Sequence, residues 1–443
     1  MLRTALLALL CLACAAKAVP ERPLLRVGTS GDYAPFSLRD GAGRRSGFDV
    51  ELARAYARER GLRVRWVPLR WATLERDFAA GRFDVVMSGI TVRPERSLTG
   101  RFSVPVTTSG AVLLARSKAL DPRARIAVNA GGHLERVARR LFPAARIEPL
   151  APNAAVREAL VKGAADAALT DTLEAPHWLA GTRGLHTLGP YTRDWKAYWL
   201  PVSARERALD LDAWLLAREA DGTLAALRAR HLPPVGQVSI AAPLMALAAV
   251  IEERLSLMPL VAEAKRAQGA AVRDPAQESA VLAAASEAMS AAAGRAGLPA
   301  PDAAATRGLF QALIDAAREV QDHTLASEPR AAKPPDLDAG LRPALARISE
   351  RIAELAVRLP ADLEPDAVRA AITPISIPGL SAASRDGIAN ALVMLARSPR
   401  ESSCPTRPPA PRSPPPRSRS RSSRGREGCR RPPVPPDARR LPA

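Results

Sequence analysis

GRFDVVMSGITVRPER, residues 81–96, is the stretch from which the first half of the chain can be read. Gly81 ends a helix, and Phe83–Met87 is a short apolar run of the kind buried in a parallel sheet. Ser88 and Gly89 follow where such a strand would end, and residues this small let backbone approach a ligand closely. Thr91 and Arg96 then place a hydroxyl and a guanidinium beyond the strand's carboxyl end, where open α/β sheets bind ligands. A guanidinium fork can bond both oxygens of a carboxylate at once. Spacing alone fits a strand, a turn and a surface arginine equally well, so the neighbours decide.

Upstream, Leu24–Gly28 reads as a strand, Gly47–Arg60 as an amphipathic helix stopped by Gly61, Val64–Val67 as a strand, and Trp71–Ala80 as a helix. Downstream, a new unit starts near Leu113. Arg125–Asn129 is strand-like, Gly131–Glu135 opens a helix whose free N–H groups suit an anion, and Ala165–Asp171 is another strand. Trp195–Leu200 leads back towards the first unit, and a helix lies near Leu209–Ala220. Alternating strands and helices define an α/β class with a largely parallel sheet.

These pieces together (GDYAPFS, GFDVELA, FDVVMSGITVRPER, FSVP and the ADAALTD strand) resemble the two-lobed periplasmic solute-binding fold over residues 24–236. The resemblance implies one lobe from about 24–110 and 195–236, a second lobe inserted between, and a ligand cleft between the two. It implies that Arg96 grips a ligand carboxylate and that Tyr33, Phe36 and Trp71 line the cleft, although Trp71 also reads as plain core. Ser88, Gly89, Thr91, Asn129, Gly132, His133, Asp171 and Lys196 complete the implied substrate-binding set. Three segments point past simple transport. VNAGGHLERV, LTDTLE and KAYWLP resemble the corresponding segments of periplasmic cyclohexadienyl dehydratases, which convert prephenate to phenylpyruvate or arogenate to phenylalanine. Glu174 is then the catalytic position. Loss of a ring hydroxyl together with CO₂ needs a proton on the departing oxygen, and a carboxylic acid in an enclosed cleft has its pKa raised for that task. His133 stands where that family has Thr, a departure at the second anion pocket.

After Pro233-Pro234-Val235-Gly236 the composition turns Ala-rich and helical, with no strand-like alternation. Helical spacing runs over Ile240–Gln268, Asp274–Gly294, Ala303–Gln321 and Leu337–Leu359. Arg254 and Lys265 lie eleven residues apart, three turns on one face. ERLSLMPLVAEAK, VRDPAQE, the helix ending at Gln321 and PPDLDAGLR resemble the secreted, gamma-type, all-helical chorismate mutases over residues 240–395. Chorismate rearranges without base, nucleophile or cofactor. The protein must hold a dianion in a compact conformer and stabilise charge building on the ether oxygen. By resemblance Arg254 and Arg342 hold carboxylates, Lys265 and Gln321 face the ether oxygen, Glu278 meets the substrate hydroxyl, and Asp274 belongs to the binding segment. Gln277 occupies the place of a family arginine, so wild type should be slow and Gln277→Arg faster, unless another cation has taken over. Arg273 is the candidate in this segment.

The chain begins with Arg3, an apolar run over Ala5–Ala16 and Ala16-Lys17-Ala18, the pattern of a secretory signal over residues 1–18, too short for a membrane span. The expected localisation is periplasmic or secreted. Cys11 and Cys14 would leave with it, so only Cys404 and Cys429 remain, and neither a disulfide framework nor a metal site is expected. The net charge of +19 looks like a nucleic-acid signal, but residues 397–443 hold thirteen Arg against Glu401, Glu427 and Asp437, ten of those nineteen charges. Residues 398–443 are Pro/Ser/Arg low complexity without the means to form a core, and removing them should change neither activity nor stability. No nucleic-acid partner is expected.

The two resemblances fall on consecutive reactions, chorismate to prephenate and prephenate onward. The expectation is a two-lobed α/β fold followed by an all-α mutase domain and a disordered tail. Its substrates are chorismate, prephenate and arogenate; it needs no cofactor, and homo-oligomer formation is left open. The alternative is a solute-binding protein with a degenerate helical appendage, and Glu174 separates the two.

Overall fold

The computed structural model describes residues 22–237, 242–327 and 333–401; the expected signal and the tail beyond Glu401 lie outside the described residues. Among the described residues no helix is long and apolar enough to cross a membrane.

Two five-stranded sheets form the first half. The first strand β1 (Leu24–Thr29) leads through α1 (Phe48–Glu59) to β2 (Arg63–Pro68), then α2 (Leu74–Ala79), β3 (Val85–Val86), α3 (Pro94–Thr99) and β4 (Gly100–Phe102). β1 pairs in parallel with both β2 and β3, as expected for apolar strands joined by helical crossovers. The chain then builds the second sheet from β5 (Ala111–Ala115), β6 (Arg125–Asn129), α4 (His133–Leu141), β7 (Arg146–Leu150), α5 (Asn153–Val161), β8 (Ala167–Asp171), α6 (Ala175–Leu179) and β9 (His186–Leu188). It returns to the first sheet with β10 (Trp199–Pro201), followed by α7 (Arg205–Ala220) and α8 (Thr223–His231). Strand orders are β2-β1-β3-β10-β4 and β7-β6-β8-β5-β9. Each sheet mixes a parallel core with antiparallel edges, because β10 and β5 run against their neighbours. Thr107–Ser109 pairs with Asp194–Lys196 where the chain crosses between the lobes. The expected run Trp195–Leu200 is thus split, one part in this crossing ribbon and the other in β10.

The glycine of the opening stretch is constrained as the sequence suggested, for a different neighbour. Gly89 has φ +60°, and a Cβ there would meet the rings of Tyr33 and Phe36 at 2.5 and 2.6 Å. The close approach is to two aromatic side chains, with Asp49 accepting the Gly89 N–H at 2.6 Å from the other side.

The second half is helical: α9 (Pro243–Ser256), α10 (Met258–Gln268), α11 (Pro275–Ala296), α12 (Ala303–Leu325), α13 (Arg342–Ala356), α14 (Pro365–Ile372) and α15 (Ala382–Arg397). The run read as one helix from Ile240 to Gln268 is two. Pro259 cannot supply an N–H to the turn before it, so the chain breaks at Leu257 and restarts. Asp274 caps α11 by accepting the Gln277 N–H at 3.0 Å. Leu337–Leu341 forms a wide π turn before α13. One short pair departs from the all-helical expectation: Ala300–Pro301 runs antiparallel to Arg400–Glu401. Arg400 also donates to the carbonyls of Val357 and Leu359 at 2.8 and 2.7 Å. Residues 398–401 are therefore docked, contrary to the expectation that everything from 398 onward is dispensable.

The two halves are joined by buried ionic contacts. Glu253 of α9 accepts from Ser97 of α3 at 2.8 Å and from Arg351 of α13 at 2.6 Å. Arg351 reaches on to the Ser103 carbonyl at 2.9 Å, and Arg347 binds the Ser97 and Leu98 carbonyls at 3.1 Å each.

Candidate active sites

The first site lies where β3, β8 and the crossing ribbon meet. Its small cavity, about 40 Å³, is lined by Tyr33, Trp71, Gly89, Thr91, Arg96, Asn129, Gly132, His133, Leu134, Asn153, Glu174 and Lys196. Small-molecule pockets usually run to ~300 Å³ and more, so these lobes stand closed on one another. Direct bonds hold them so. The Tyr33 hydroxyl donates to Asp171, Lys196 Nζ lies 3.2 Å from Asp171, and Asn153 donates to the Asp32 carbonyl at 3.2 Å.

Glu174 is buried, with Asn153 Nδ2 donating to one carboxyl oxygen at 2.6 Å and Thr170 Oγ1 to the other at 2.7 Å. Burial pushes its pKa well above the ordinary carboxylic range, and the Asp171 carboxylate adds to the push; the two hydrogen bonds oppose it only in part. Asp171, by contrast, accepts the backbone N–H groups of Leu173 and Glu174 at 2.9 and 3.0 Å and faces Lys196. Two buried carboxyl groups three residues apart thus meet different partners, an amide and a hydroxyl at Glu174 and backbone N–H groups and an ammonium at Asp171. Arg96 is buried, stacks 5.7 Å from the Trp199 ring and gives one N–H to the Thr91 carbonyl at 3.1 Å, while its Nε lies 3.9 Å from Glu75 and has no hydrogen-bond partner among the described residues. Burial lowers its pKa to about 9, with Arg93 contributing. A guanidinium held that dry, with a donor to spare, suits a carboxylate.

Ten of the dehydratase-type residues line this cavity: Tyr33, Trp71, Gly89, Thr91, Arg96, Asn129, Gly132, His133, Glu174 and Lys196. Three others do not. Phe36 is wholly buried against Tyr33, Ser88 is turned to Ser30 at 3.0 Å, and Asp171 stands behind Tyr33 and Lys196. The N-terminus of α4 is already partly engaged, because Glu135 of its own first turn accepts the Gly131 N–H at 2.7 Å. His133 Nε2 faces Asp194 at 3.2 Å. Sequence reading missed Asn153, which binds Glu174, Asn129 and Asp32 at once. No motif surrounds it, and only the fold brings it there.

The second site is a cavity of about 360 Å³ among α9, α10, α11, α12 and α13. Arg254, Lys265, Asp274, Gln277, Glu278, Gln321 and Arg342 all line it, together with Arg318 and Glu350 and a floor of Ala, Val and Leu side chains. Arg254 is buried, its Nε and Nη1 lack a hydrogen-bond partner among the described residues, and burial lowers its pKa to about 10. Lys265 Nζ donates to the Val272 carbonyl at 2.6 Å and is lowered by partial burial. Gln321 donates to the Ala317 carbonyl at 3.1 Å, and its Oε1 has no hydrogen-bond partner among the described residues. Arg342 pairs with Asp338 and lies 3.8 Å from Asp274. Arg273 is exposed and does not line the cavity, so the cation expected from this segment is not there. The arrangement is a chamber that brings Arg254, Lys265, Arg318 and Arg342 to one cavity. It can orient an anion and stabilise charge.

A two-lobed α/β clamp with a buried arginine and lysine in its cleft is the architecture of extracellular solute-binding proteins. Residues 25–234 match the model for bacterial extracellular solute-binding proteins, family 3, and residues 245–322 match chorismate mutase type II. The chain is 36% identical over 223 residues to cyclohexadienyl dehydratase of Pseudomonas aeruginosa, covering 46% of this chain and 81% of that one. It is 27% identical over 222 residues to an L-arginine-binding protein of the same organism, covering 47% and 84%. A crystal structure of an ancestral amino acid-binding protein, a precursor of cyclohexadienyl dehydratase, aligns at 32% identity with a TM-score of 0.45, covering 47% of this chain and 96% of that chain. The chain belongs to the cyclohexadienyl dehydratase branch of this solute-binding family and carries a chorismate mutase type II domain behind it.

Proposed function

We propose that the chain is an exported bifunctional enzyme of phenylalanine synthesis. Its helical domain rearranges chorismate to prephenate, and its two-lobed domain converts prephenate or arogenate to phenylpyruvate or phenylalanine with loss of water and CO₂. The domains correspond to residues 24–236 and 240–395, behind a secretory leader over 1–18, so the enzyme works in the periplasm or outside the cell. The observation that carries the reading is Glu174: a buried carboxyl group lining the cleft, its neutral form favoured by burial, is what a leaving hydroxyl needs.

In the dehydratase step Glu174 gives its proton to the departing hydroxyl, which leaves as water. The electron pair of the breaking carbon–carboxylate bond moves into the ring as it becomes aromatic, and CO₂ departs. The carboxylate that leaves must lose its charge, and a guanidinium would hold that charge in place. Arg96 therefore grips the side-chain carboxylate that survives into product, with Thr91 beside it. Lys196 and Asp171 fix Tyr33, and Asn129, Gly132, His133 and Trp71 enclose the substrate. The lobes part to admit it, breaking the Tyr33–Asp171, Lys196–Asp171 and Asn153–Asp32 contacts.

In the mutase step Arg254 and Arg342 hold the two carboxylates, Lys265 and Gln321 face the ether oxygen, and Glu278 meets the hydroxyl. General acid help is worth ~10²–10⁴ in rate, or about 3–5 kcal/mol of barrier; the mutase relies on positioning and fixed charge alone. The test is chorismate added to purified chain, with prephenate and then phenylpyruvate followed in time. A chain that binds these compounds and turns over neither is a carrier.

A further inference from the structure

Arg318 lines the mutase cavity and no part of the sequence reading used it. It projects from α12 three residues before Gln321, hence from the same face. Its Nε and Nη2 each donate to a different oxygen of Glu278 at 2.9 Å, a flat two-pronged grip across from α12 to α11. Nη1 lies 3.3 Å from Asp315, a half-exposed carboxylate of the same helix. Glu278 is the immediate neighbour of Gln277, the position where a neutral amide stands in place of an expected guanidinium. The grip therefore holds a guanidinium beside the place where one is missing.

The charge balance makes the point quantitative. Arg254, Lys265, Arg318 and Arg342 face Asp274, Glu278 and Glu350 around the cavity. Glu350 is bound outward by Arg205 at 2.8 Å and lies 3.4 Å from Arg101. Glu350 is thus answered from outside the chamber, and without Arg318 the three remaining cations would face Asp274 and an unpaired Glu278. With it the cations outnumber the acids, and Glu278 is neutralised where it would otherwise repel the substrate.

We propose that Arg318 is a further substrate-carboxylate ligand, beside Arg254 and Arg342, that replaces the arginine absent at Gln277, and that Glu278 positions it as well as meeting the substrate hydroxyl. The cation has moved from α11 to the facing wall of the same cavity. This rests on the mutase reading, and two separate measurements keep the claims apart. Chorismate turnover by the wild-type full chain decides the reading. Calorimetric binding of a non-reactive oxabicyclic diacid, shaped like the rearrangement's transition state, decides Arg318. Arg318→Gln should weaken that binding, and kcat/KM where turnover is present, by roughly tenfold or more, as expected for a lost charge-assisted bond. Gln277→Arg in the Arg318→Gln background should restore most of the loss, whereas Gln277→Arg alone should gain little. A merely structural arginine would not be rescued from position 277. Unchanged binding in Arg318→Gln overturns the proposal. So does a folded double variant, judged by its melting curve, that recovers nothing. A wild type that binds the diacid without rearranging chorismate defeats the mutase reading alone, and one that binds neither defeats both.

Discussion

Replacing Glu174 by Gln isolates the proton from everything else the side chain does. The pocket can accept an amide without rearrangement. The amide oxygen can take the Asn153 bond now made at 2.6 Å, and the amide NH₂ can donate to Thr170 Oγ1, whose hydroxyl rotates from donor to acceptor. Because burial and Asp171 favour the neutral form of Glu174, a neutral amide is also the substitution that disturbs the charge of the cleft least. Binding of prephenate should therefore stay within a few-fold of wild type, while turnover loses the general acid term of ~10²–10⁴, or about 3–5 kcal/mol. Calorimetry and phenylpyruvate absorbance on the same preparation measure the two quantities. Two results would refute the reasoning. Turnover near wild type removes Glu174 from the chemistry. Prephenate binding that tightens strongly shows that an anion has been removed, so that the native side chain was ionised and no donor at all.

The dehydration rate should fall as pH rises through the raised pKa of Glu174, since the ionised form has no proton to give. Asp171→Asn removes a charge that raises that pKa and should move the falling limb to lower pH; a limb that stays put assigns it to another group. Arg96→Ala should weaken prephenate binding by about 2–5 kcal/mol, because an enclosed carboxylate loses its cation, and unchanged affinity would place the ligand elsewhere. Burial raises Asp49 to about 7 from an ordinary value of 3.8. The fold thus favours its neutral form, and stability from this group is complete below about pH 4 and is lost as pH rises towards 7. Asp49→Asn should flatten that part of the melting temperature–pH curve, and a curve of unchanged slope would reject the assignment. Truncation after Arg397 removes Ser398 and the two Arg400 bonds and should lower the melting temperature by a few degrees, whereas truncation after Glu401 should not; equal melting of both forms would mean that the docking contributes nothing.

What the sequence made legible followed from how each feature is encoded. Parallel strands are continuous apolar runs, so Phe83–Met87 and Arg125–Asn129 announce themselves, as does the Glu174 segment that follows Ala167–Asp171, whereas Arg146–Leu150, with Arg, Glu and Pro in its five residues, does not. The cation spacing of Arg254 and Lys265 survives the break at Pro259 because both residues still face one chamber. Asn153 was invisible for the opposite reason. It acts through partners 21, 24 and 121 residues away, and an isolated Asn before an Ala-rich helix carries no chemistry until the lobes close. Arg318 was hidden by its surroundings, since Asp315, Arg318 and Glu319 read as an ordinary solvated helix face. The docking of Arg400 could not be separated from the low-complexity arginines that follow it.

The junction between the two halves bears on how both sites are built. Arg96 and Ser97 are neighbours on α3, and Glu253 and Arg254 are neighbours on α9. The Ser97–Glu253 bond of 2.8 Å therefore ties together the elements that carry the principal arginine of each cavity. Glu253 is nearly as buried as Arg254, and it is the 2.6 Å partner of Arg351. Buried ion pairs of this kind add little net stability against an apolar alternative, yet removing one partner strands a charge and typically costs 3–5 kcal/mol. Their usual service is to fix geometry. Here the geometry fixed is the register of α9 against α3. Arg254, next to Glu253, lines the helical cavity, and Arg96, next to Ser97, lines the cleft of the two-lobed half. Arg347 strengthens the same seam by taking the carbonyls of Ser97 and Leu98 at the far end of α3. Seen this way, the helical half is part of the framework that presents Arg96, and a clamp with its own complete cleft has come to share a wall with a second chamber.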